Sequence, residues 1–356
     1  MLAEITEKVN SGGRIDRTEA RYLLKRADLL AVGRLADNVR RRLHPHNRVT
    51  FVVDRNVNYT NICLSGCRFC AFYRSPGAEG GYLLSRDEIF AKVRELVEQG
   101  GTQLLLQGGL HPDLPIEWFE ALFCGIRKRF PTVQIHSLSP AEIVHLAELS
   151  GLSVADCLRR LRAAGLASLP GGGAEILVDG VRRRISPNKI GWRQWAAVME
   201  EAHRQGMSTT ATLVFGFGER PADIIEHLFR LRDLQPAVGG FRAFIPWTFQ
   251  PDNTEMGGEG ATGVDYLKVL AVSRLVLDNI PNIQSSWVTQ GPAVAQTALF
   301  FGANDLGGTM LEENVVAAAG TSFRLSQEEV ISLIREAGFL PARRDTGYRI
   351  LEEYRD

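Results

Sequence analysis

Between residues 49 and 305 the chain repeats one pattern: a short apolar, β-branched run, a polar or glycine-rich turn, then a stretch with helical spacing. The runs are Val49–Val53, Gln103–Gln107, Val133–Ser137, Ala167–Leu169, Thr209–Phe215, Phe241–Ile245, Ile283–Trp287 and a short last one at Gly302–Asp305. Helices are expected over 86–99, 116–130, 154–164, 192–205, 222–235, 264–279 and 293–300. Such alternation implies parallel strands, because parallel neighbours need a crossover connection. About eight repeats predict an α/β fold closed into a (β/α)8 TIM-type barrel, with its reactive groups on the loops that follow the strands. An open doubly wound sheet is the alternative, weakened because no G-x-G-x-x-G follows the first run.

The barrel is expected to occupy residues 48–320. Residues 1–47 read as a charged, helical N-terminal extension that ends at His44-Pro45-His46, a solvated turn rather than a metal site. Residues 321–356 read as a C-terminal extension packed on the barrel, with a helix at Ser326–Ala337 and a strand at Tyr348–Leu351. A formal net charge of zero argues against a nucleic-acid partner. No apolar run approaches the ~18 residues of a spanning helix, so no membrane association is expected. The N-terminus lacks the basic-then-apolar order of a signal peptide. The expected location is cytoplasmic, where thiols stay reduced.

Three of the five cysteines fall just after the first strand, at Cys63, Cys67 and Cys70, spaced C-x3-C-x2-C. Three thiols this close need a shared partner or are reactive. Disulfides would leave one over. A structural zinc would need a fourth ligand, and residues 47–110 hold no other Cys or His. An ordinary electron-transfer iron–sulfur cluster also takes four cysteines, so three leave one metal position open to a substrate or cofactor. Cys124 and Cys157 fall within expected helices and read as buried structural thiols.

The loops after the later strands carry further candidates. Gly108-Gly109 would let a ligand approach the backbone closely. Ser137 is the better candidate for touching a ligand, because Ser139-Pro140-Ala141-Glu142 spells a helix start. His136 either lines the barrel or is a satisfied buried histidine. Glu175, after three glycines, is placed to accept from hydroxyl groups. Arg182–Lys189 is a basic loop. Phe244, Trp247 and Phe249 could stack on a ring. Asp305 and Glu313 are positioned as base candidates, with Tyr73 or His136 as others.

Several segments are more specific: N-Y-T-N-I-C-x3-C-R-F-C-A-F-Y-R, L-Q-G-G-L-H-P, L-P-G-G-G-A-E-I-L, I-P-W-x-F-Q-P and G-A-N-D-x-G-x-T-M-x-E-E-N. Over roughly residues 45–320 they resemble the radical S-adenosylmethionine (radical SAM) superfamily. Within it they resemble the group of deazaflavin (FO) synthase halves, aminofutalosine synthases and dehypoxanthine futalosine cyclases. The pieces L-P-G-G-G-A-E-I-L-V-D, F-I-P-W-x-F-Q-P-D-N-T and S-W-V-T-Q-G-P resemble the cyclases of the futalosine route to menaquinone.

The resemblance implies a [4Fe-4S] cluster on Cys63, Cys67 and Cys70, with its fourth iron chelated by SAM. It implies cofactor contacts at Phe69, at Gly108-Gly109 (for the SAM amino group), at Ser137 and at Glu175 (for the ribose). It also implies a SAM carboxylate partner at Arg184 or Lys189, and a turn near the adenine at Gly216–Glu219. The implied reaction closes dehypoxanthine futalosine into its cyclic form, with an electron donor such as a flavodoxin or ferredoxin.

Overall fold

Period-two side-chain alternation decides which residues of each strand can face the site. The structure, a computed structural model, describes residues 1–235 and 239–355. Its strands are β1 (Arg48–Val52), β2 (Asp54–Val57), β3 (Gln103–Leu106), β4 (Gln134–Ser137), β5 (Leu166–Leu169), β6 (Ser208–Phe215), β7 (Phe241–Thr248), β8 (Asn282–Ile283), β9 (Asp305–Gly308), β10 (Leu340–Arg344) and β11 (Ile350–Glu353). On β3, Leu104 and Leu106 are fully buried against the outer helices, while Gln103, Leu105 and the following Gln107 point inward.

β2 through β8 form one parallel sheet in chain order. β9 closes the ring, joined to β8 by a parallel bridge between Gln284 and Asp305 and to β1 by parallel pairing. The result is the (β/α)8 TIM-type barrel. The first expected strand, Val49–Val53, is β1, and the chain goes on into a further strand, β2. The extended run breaks at Val53 and changes partners there: β1 pairs with β10, whereas β2 pairs with β3. β11 then folds back antiparallel on β10.

The outer helices follow local signals. Ser85, Ser139, Thr262 and Ser326 each accept from the N3 backbone N–H while the N3 acid returns the bond, which marks the starts of helices Arg86–Glu98, Pro140–Leu149, Gly263–Val276 and Gln327–Glu336. Buried residues such as Phe123, Ile126, Leu228 and Leu270 fill the layer between helices and barrel, each worth about 1.5–3 kcal/mol of burial. Helices Arg17–Lys25 and Leu29–Leu43 pack on helix Gly263–Val276. No helix among the described residues is long and apolar enough to cross a membrane.

Several expectations change. The last barrel strand is Asp305–Gly308, not Gly302–Asp305, because its glycines hide it from a β-propensity reading. The seventh is only Asn282–Ile283, and Trp287–Gln290 is a helical turn. The basic loop begins as helix Asp179–Ile185. The final strand starts at Ile350, and Tyr348 lies before it with a left-handed backbone. Cys157 is buried, but Cys124 is exposed on the solvent side of helix Ile116–Arg129. His44 Nε2 lies 2.9 Å from the Pro281 carbonyl, so this ring caps a turn.

Candidate active site

A cavity of about 280 Å³ opens at the C-terminal ends of the strands, and Cys63, Cys67 and Cys70 share its wall. Their loop is clamped on three sides. Cys63 N–H donates to the Arg74 carbonyl (2.9 Å), Leu64 N–H to Leu110 (3.0 Å) and Arg68 N–H to Ile185 (2.9 Å). The Cys63 sulfur accepts from the N–H groups of Ser65 and Leu110 at 3.4 and 3.3 Å. Ser65 Oγ lies 3.1 Å from the Cys67 sulfur. Burial pushes the Cys67 and Cys70 thiols up. All three are free thiols. Among the described residues no histidine or fourth cysteine lines this cavity, and no three His, Cys, Asp or Glu converge on a single-ion position. Three thiols on one wall, with N–H groups aimed at sulfur, fit an iron–sulfur cluster held by three ligands better than one zinc ion.

Gly108 and Gly109 lie against the cysteine loop. A Cβ on Gly109 would stand 2.1 Å from the Ile62 carbonyl oxygen and 2.7 Å from Cys63 Cβ, so only glycine fits. Gly109 N–H donates to the Thr60 carbonyl and Gly108 N–H to Glu142. Carbonyls are what this turn has left to offer an amine. Glu142, read from sequence only as a helix-start acid, also joins three loops. Its carboxylate accepts from Gly108 N–H (3.0 Å), the Tyr59 hydroxyl (2.9 Å) and Ser139 N–H (2.6 Å). Burial raises its pKa against these bonds.

Glu175 and Lys189 line the same cavity. Glu175 has a left-handed backbone (φ 41°), a conformation that costs a non-glycine residue about 1–3 kcal/mol. Its carbonyl is held by Val214 N–H (3.0 Å). Its carboxylate accepts from Lys189 Nζ (2.8 Å) and Arg182 Nη1 (3.3 Å). Burial opposes the Lys189 charge, but Cys67 and Glu175 outweigh it and keep the amine protonated. Lys189 Nζ also lies 5.4 Å from the centre of the Phe69 ring, which lines the cavity and packs on Phe217. The Gly216–Glu219 turn is closed by its own side chain, Glu219 accepting from Gly216 and Phe217 N–H.

Other expected residues lie elsewhere. Arg184 is exposed and donates to the Phe217 carbonyl, outside the cavity lining; the cations on Glu175 from this segment are Lys189 and Arg182, the latter two residues before Arg184. Ser137 is fully buried on the outward face of β4 with Ile135, donating to the Leu106 carbonyl at 2.6 Å. Ser139 lines the cavity instead. Asp305 begins its strand rather than ending it. It is fully buried, bound by Arg344 through two bonds (2.5 and 3.0 Å) and by Thr50. Glu313 spends its carboxylate on the N–H groups of residues 315–317. Neither acid lines the cavity, so the base candidates that face it or the chamber below are Tyr73 and His136. Trp247 lines the cavity, whereas Phe244 is core. Gln284 was missed, although a polar residue just after a strand is the signal that marks it.

A family profile described as the radical SAM superfamily matches residues 57–231, and one described as the CofH/MqnC C-terminal region matches residues 238–356. The chain is 48% identical to a cyclic dehypoxanthine futalosine synthase from Halalkalibacterium halodurans, over 99% of this chain and 95% of that one. It is 45% identical to the protein of the same name from Streptomyces coelicolor, over 100% and 90%. It is 42% identical to a 5-amino-6-(D-ribitylamino)uracil–L-tyrosine 4-hydroxyphenyl transferase from Methanothermobacter thermautotrophicus, over 95% of each chain. The fold matches the crystal structure of HydG, a maturase of the [FeFe]-hydrogenase, with a TM-score of 0.76, 17% identity and coverage of 96% of this chain and 76% of that one. The chain is an enzyme that belongs to the radical SAM superfamily, in the group that carries the CofH/MqnC C-terminal region and includes the cyclic dehypoxanthine futalosine synthases.

Proposed function

We propose that this enzyme closes dehypoxanthine futalosine into cyclic dehypoxanthine futalosine, a step toward menaquinone. The observation that carries the reading is the convergence on one cavity of three free thiols, the Gly108-Gly109 turn and the Glu175–Lys189 pair, in a chain 48% identical along its length to a synthase of that name. Cys63, Cys67 and Cys70 would hold a [4Fe-4S] cluster. Bound there and reduced, that cluster would supply one-electron cleavage of SAM, the source of hydrogen-atom abstraction at the substrate ribose ahead of ring closure onto the benzoate. Overall, SAM and substrate give methionine, 5′-deoxyadenosine, the cyclised product and one proton, so atoms and electrons balance. A flavodoxin or ferredoxin supplies the priming electron.

The protein's own part is positioning. The Gly108 and Gly109 carbonyls suit the methionyl amine, Lys189 its carboxylate, and Glu175 the ribose hydroxyls. Phe69 packs between the cysteine loop and Phe217, and keeps water from that wall. Holding the reacting atoms at near-attack distance lowers the barrier, and a closed barrel limits stray hydrogen donors. Tyr73, which lines the cavity, would take the final proton.

The test is anaerobic turnover of reconstituted, reduced protein with SAM and dehypoxanthine futalosine. Mass analysis should show a product lighter than the substrate by two hydrogens, together with 5′-deoxyadenosine. 5′-Deoxyadenosine without cyclised product would point to a sibling substrate; no SAM cleavage would reject the reading. Cys63→Ala should abolish cluster absorbance and turnover while the far-ultraviolet dichroism of the barrel persists.

A further inference from the structure

Beneath the main cavity, inside the barrel, lies a second chamber of about 80 Å³. The two share a neck where Leu105, Ile245, Trp247 and Met310 give an apolar lining with one aromatic wall, and Gln107 and Gln284 add two amides. The chamber below is polar. On its β4–β7 side stand His136, Thr210 and Arg242. Arg242 Nη1 donates to Ser208 Oγ (2.8 Å), and Nη2 donates to Ser168 Oγ and His136 Nδ1 (3.2 Å each). Its protein partners are hydroxyls and an imidazole, and no carboxylate pairs with it among the described residues.

The buried guanidiniums of this barrel are treated differently. Arg344, in the same chamber, is neutralised by Asp305 through two bonds. Arg274 is wrapped by the carbonyls of Gly302, Ile280 and Pro281 and by the Asn304 side chain. Arg182 reaches Glu175 and two carbonyls. Arg242 is half-buried, a cation without a close counter-ion is costly there, and burial, against the attraction of Tyr348 and Asp345, lowers its pKa to about 10. Its imidazole neighbour does not add charge: burial and the adjacent guanidinium hold His136 neutral. His136 Nδ1 lies 3.2 Å from Arg242 Nη2 and 2.7 Å from Ser168 Oγ. The chamber's acid, Asp54, stands on β2, where its oxygens are engaged by Gln103 Nε2 (3.1 Å) and Met310 N–H (2.9 Å).

We infer that this chamber is a carboxylate subsite: Arg242 seats the carboxylate of the substrate's benzoate, and the apolar neck holds the ring. The assignment rests on the cyclase reading for the identity of the acid, and on the geometry alone for its chemistry, an aryl carboxylate. A guanidinium is the side chain best suited to a planar carboxylate. The neck–chamber order, apolar then cationic, matches the order of ring and carboxylate along such a ligand. It would place the substrate below SAM, with its charged end toward the barrel floor and its ribose toward the cysteine loop.

The experiment compares wild type, Arg242→Gln and Arg242→Lys as reconstituted holoenzymes. With dehypoxanthine futalosine, Arg242→Gln should raise KM about ten- to a hundred-fold, with SAM affinity and cluster absorbance unchanged and with partial rescue by Arg242→Lys. The neutral carboxamide analogue of the substrate should lose little between wild type and Arg242→Gln. Unchanged KM, or the same loss for acid and carboxamide, would overturn the subsite. A second arm uses benzoate and benzamide as probes, read by ligand-observed NMR. Wild type should bind benzoate over benzamide, and Arg242→Gln should not discriminate; no preference in wild type, or a preference that survives the substitution, would also overturn it. Because this arm needs no turnover, benzoate binding through Arg242 in a protein inactive on dehypoxanthine futalosine would reject the cyclase reading and keep the subsite. Turnover without Arg242 dependence would do the reverse.

Discussion

Two buried carboxylates, Glu175 and Asp305, sit toward opposite ends of the barrel, and each is held by a guanidinium. Glu175 stands at the mouth on a strained residue, shared between Arg182 and Lys189, and it borders the main cavity. Asp305 stands at the first position of β9, locked in a two-bond pair with Arg344, and lines neither the main cavity nor the chamber. Asp305 is an ordinary structural ion pair whose rotamers and bonds are all committed. Glu175 is a pair left open on one side, with a flexible lysine as one of its partners. Burial and charge alone therefore do not mark a functional acid; what marks it is an unclosed side and a backbone that is costly to hold.

The largest expected effect belongs to the closed pair. Asp305→Ala leaves Arg344 buried and alone, and should cost about 3–5 kcal/mol of stability, read by denaturant unfolding; a loss below about 1 kcal/mol would contradict its structural role. Next comes Asp54, in the chamber beside Arg344. Burial raises its pKa from 3.8 to about 6. Between those values the folded state keeps a proton that the unfolded state has released, so stability falls as pH rises through that window, by about 3 kcal/mol in all. Asp54→Asn should flatten that segment of the stability–pH curve, and a curve that keeps its slope would show that the carboxyl ionises normally.

Opening the mouth pair should act on binding more than on folding. Glu175→Ala should weaken SAM binding about ten-fold or more, by equilibrium binding to the holoenzyme, with a smaller loss of stability than Asp305→Ala, because Lys189 can turn toward cavity water. If SAM affinity held and stability collapsed, the two carboxylates would be alike after all. The smallest effect should be at Arg184. Arg184→Ala, on an exposed side chain, should stay within about 0.5 kcal/mol in stability and leave SAM affinity unchanged. A clear loss of affinity there would return the SAM-carboxylate role to Arg184 rather than Lys189.

The barrel was legible because its strands alternate with well-capped helices, and the cysteine spacing is local. The corrections share a physical origin. Ser137 was expected to face the ligand, yet the period-two rule, applied from His136 inward, already turns it to the outer face with Ile135. Asp305 was expected at the mouth because the strand was placed early; an aspartate and two glycines among the four residues of β9 carry little β signal. Arg184 and Arg182 cannot be told apart until the segment is known to be helical, since a helix turns successive side chains to different faces. Glu142 was recognised as a cap but not as a hub, because its other partners, Tyr59 and Gly108, come from distant loops. Arg242 carried no signal at all, for only tertiary structure shows which cations lack an acid.

The break at Val53 has a consequence for how the chain folds. β1 takes Leu340–Arg343 as neighbours on one edge, while β2, which leads into the cysteine loop, takes β3. Pairs so distant in sequence carry a large loop-closure entropy and form slowly. During synthesis the lower half of that strand must wait with an open edge until nearly the whole chain has emerged, while its upper half can already pair with β3. The strand that leads into the cysteine loop is thus among the earliest to be started and the last to be finished, and a chain lacking β10 would be prone to aggregate along that edge.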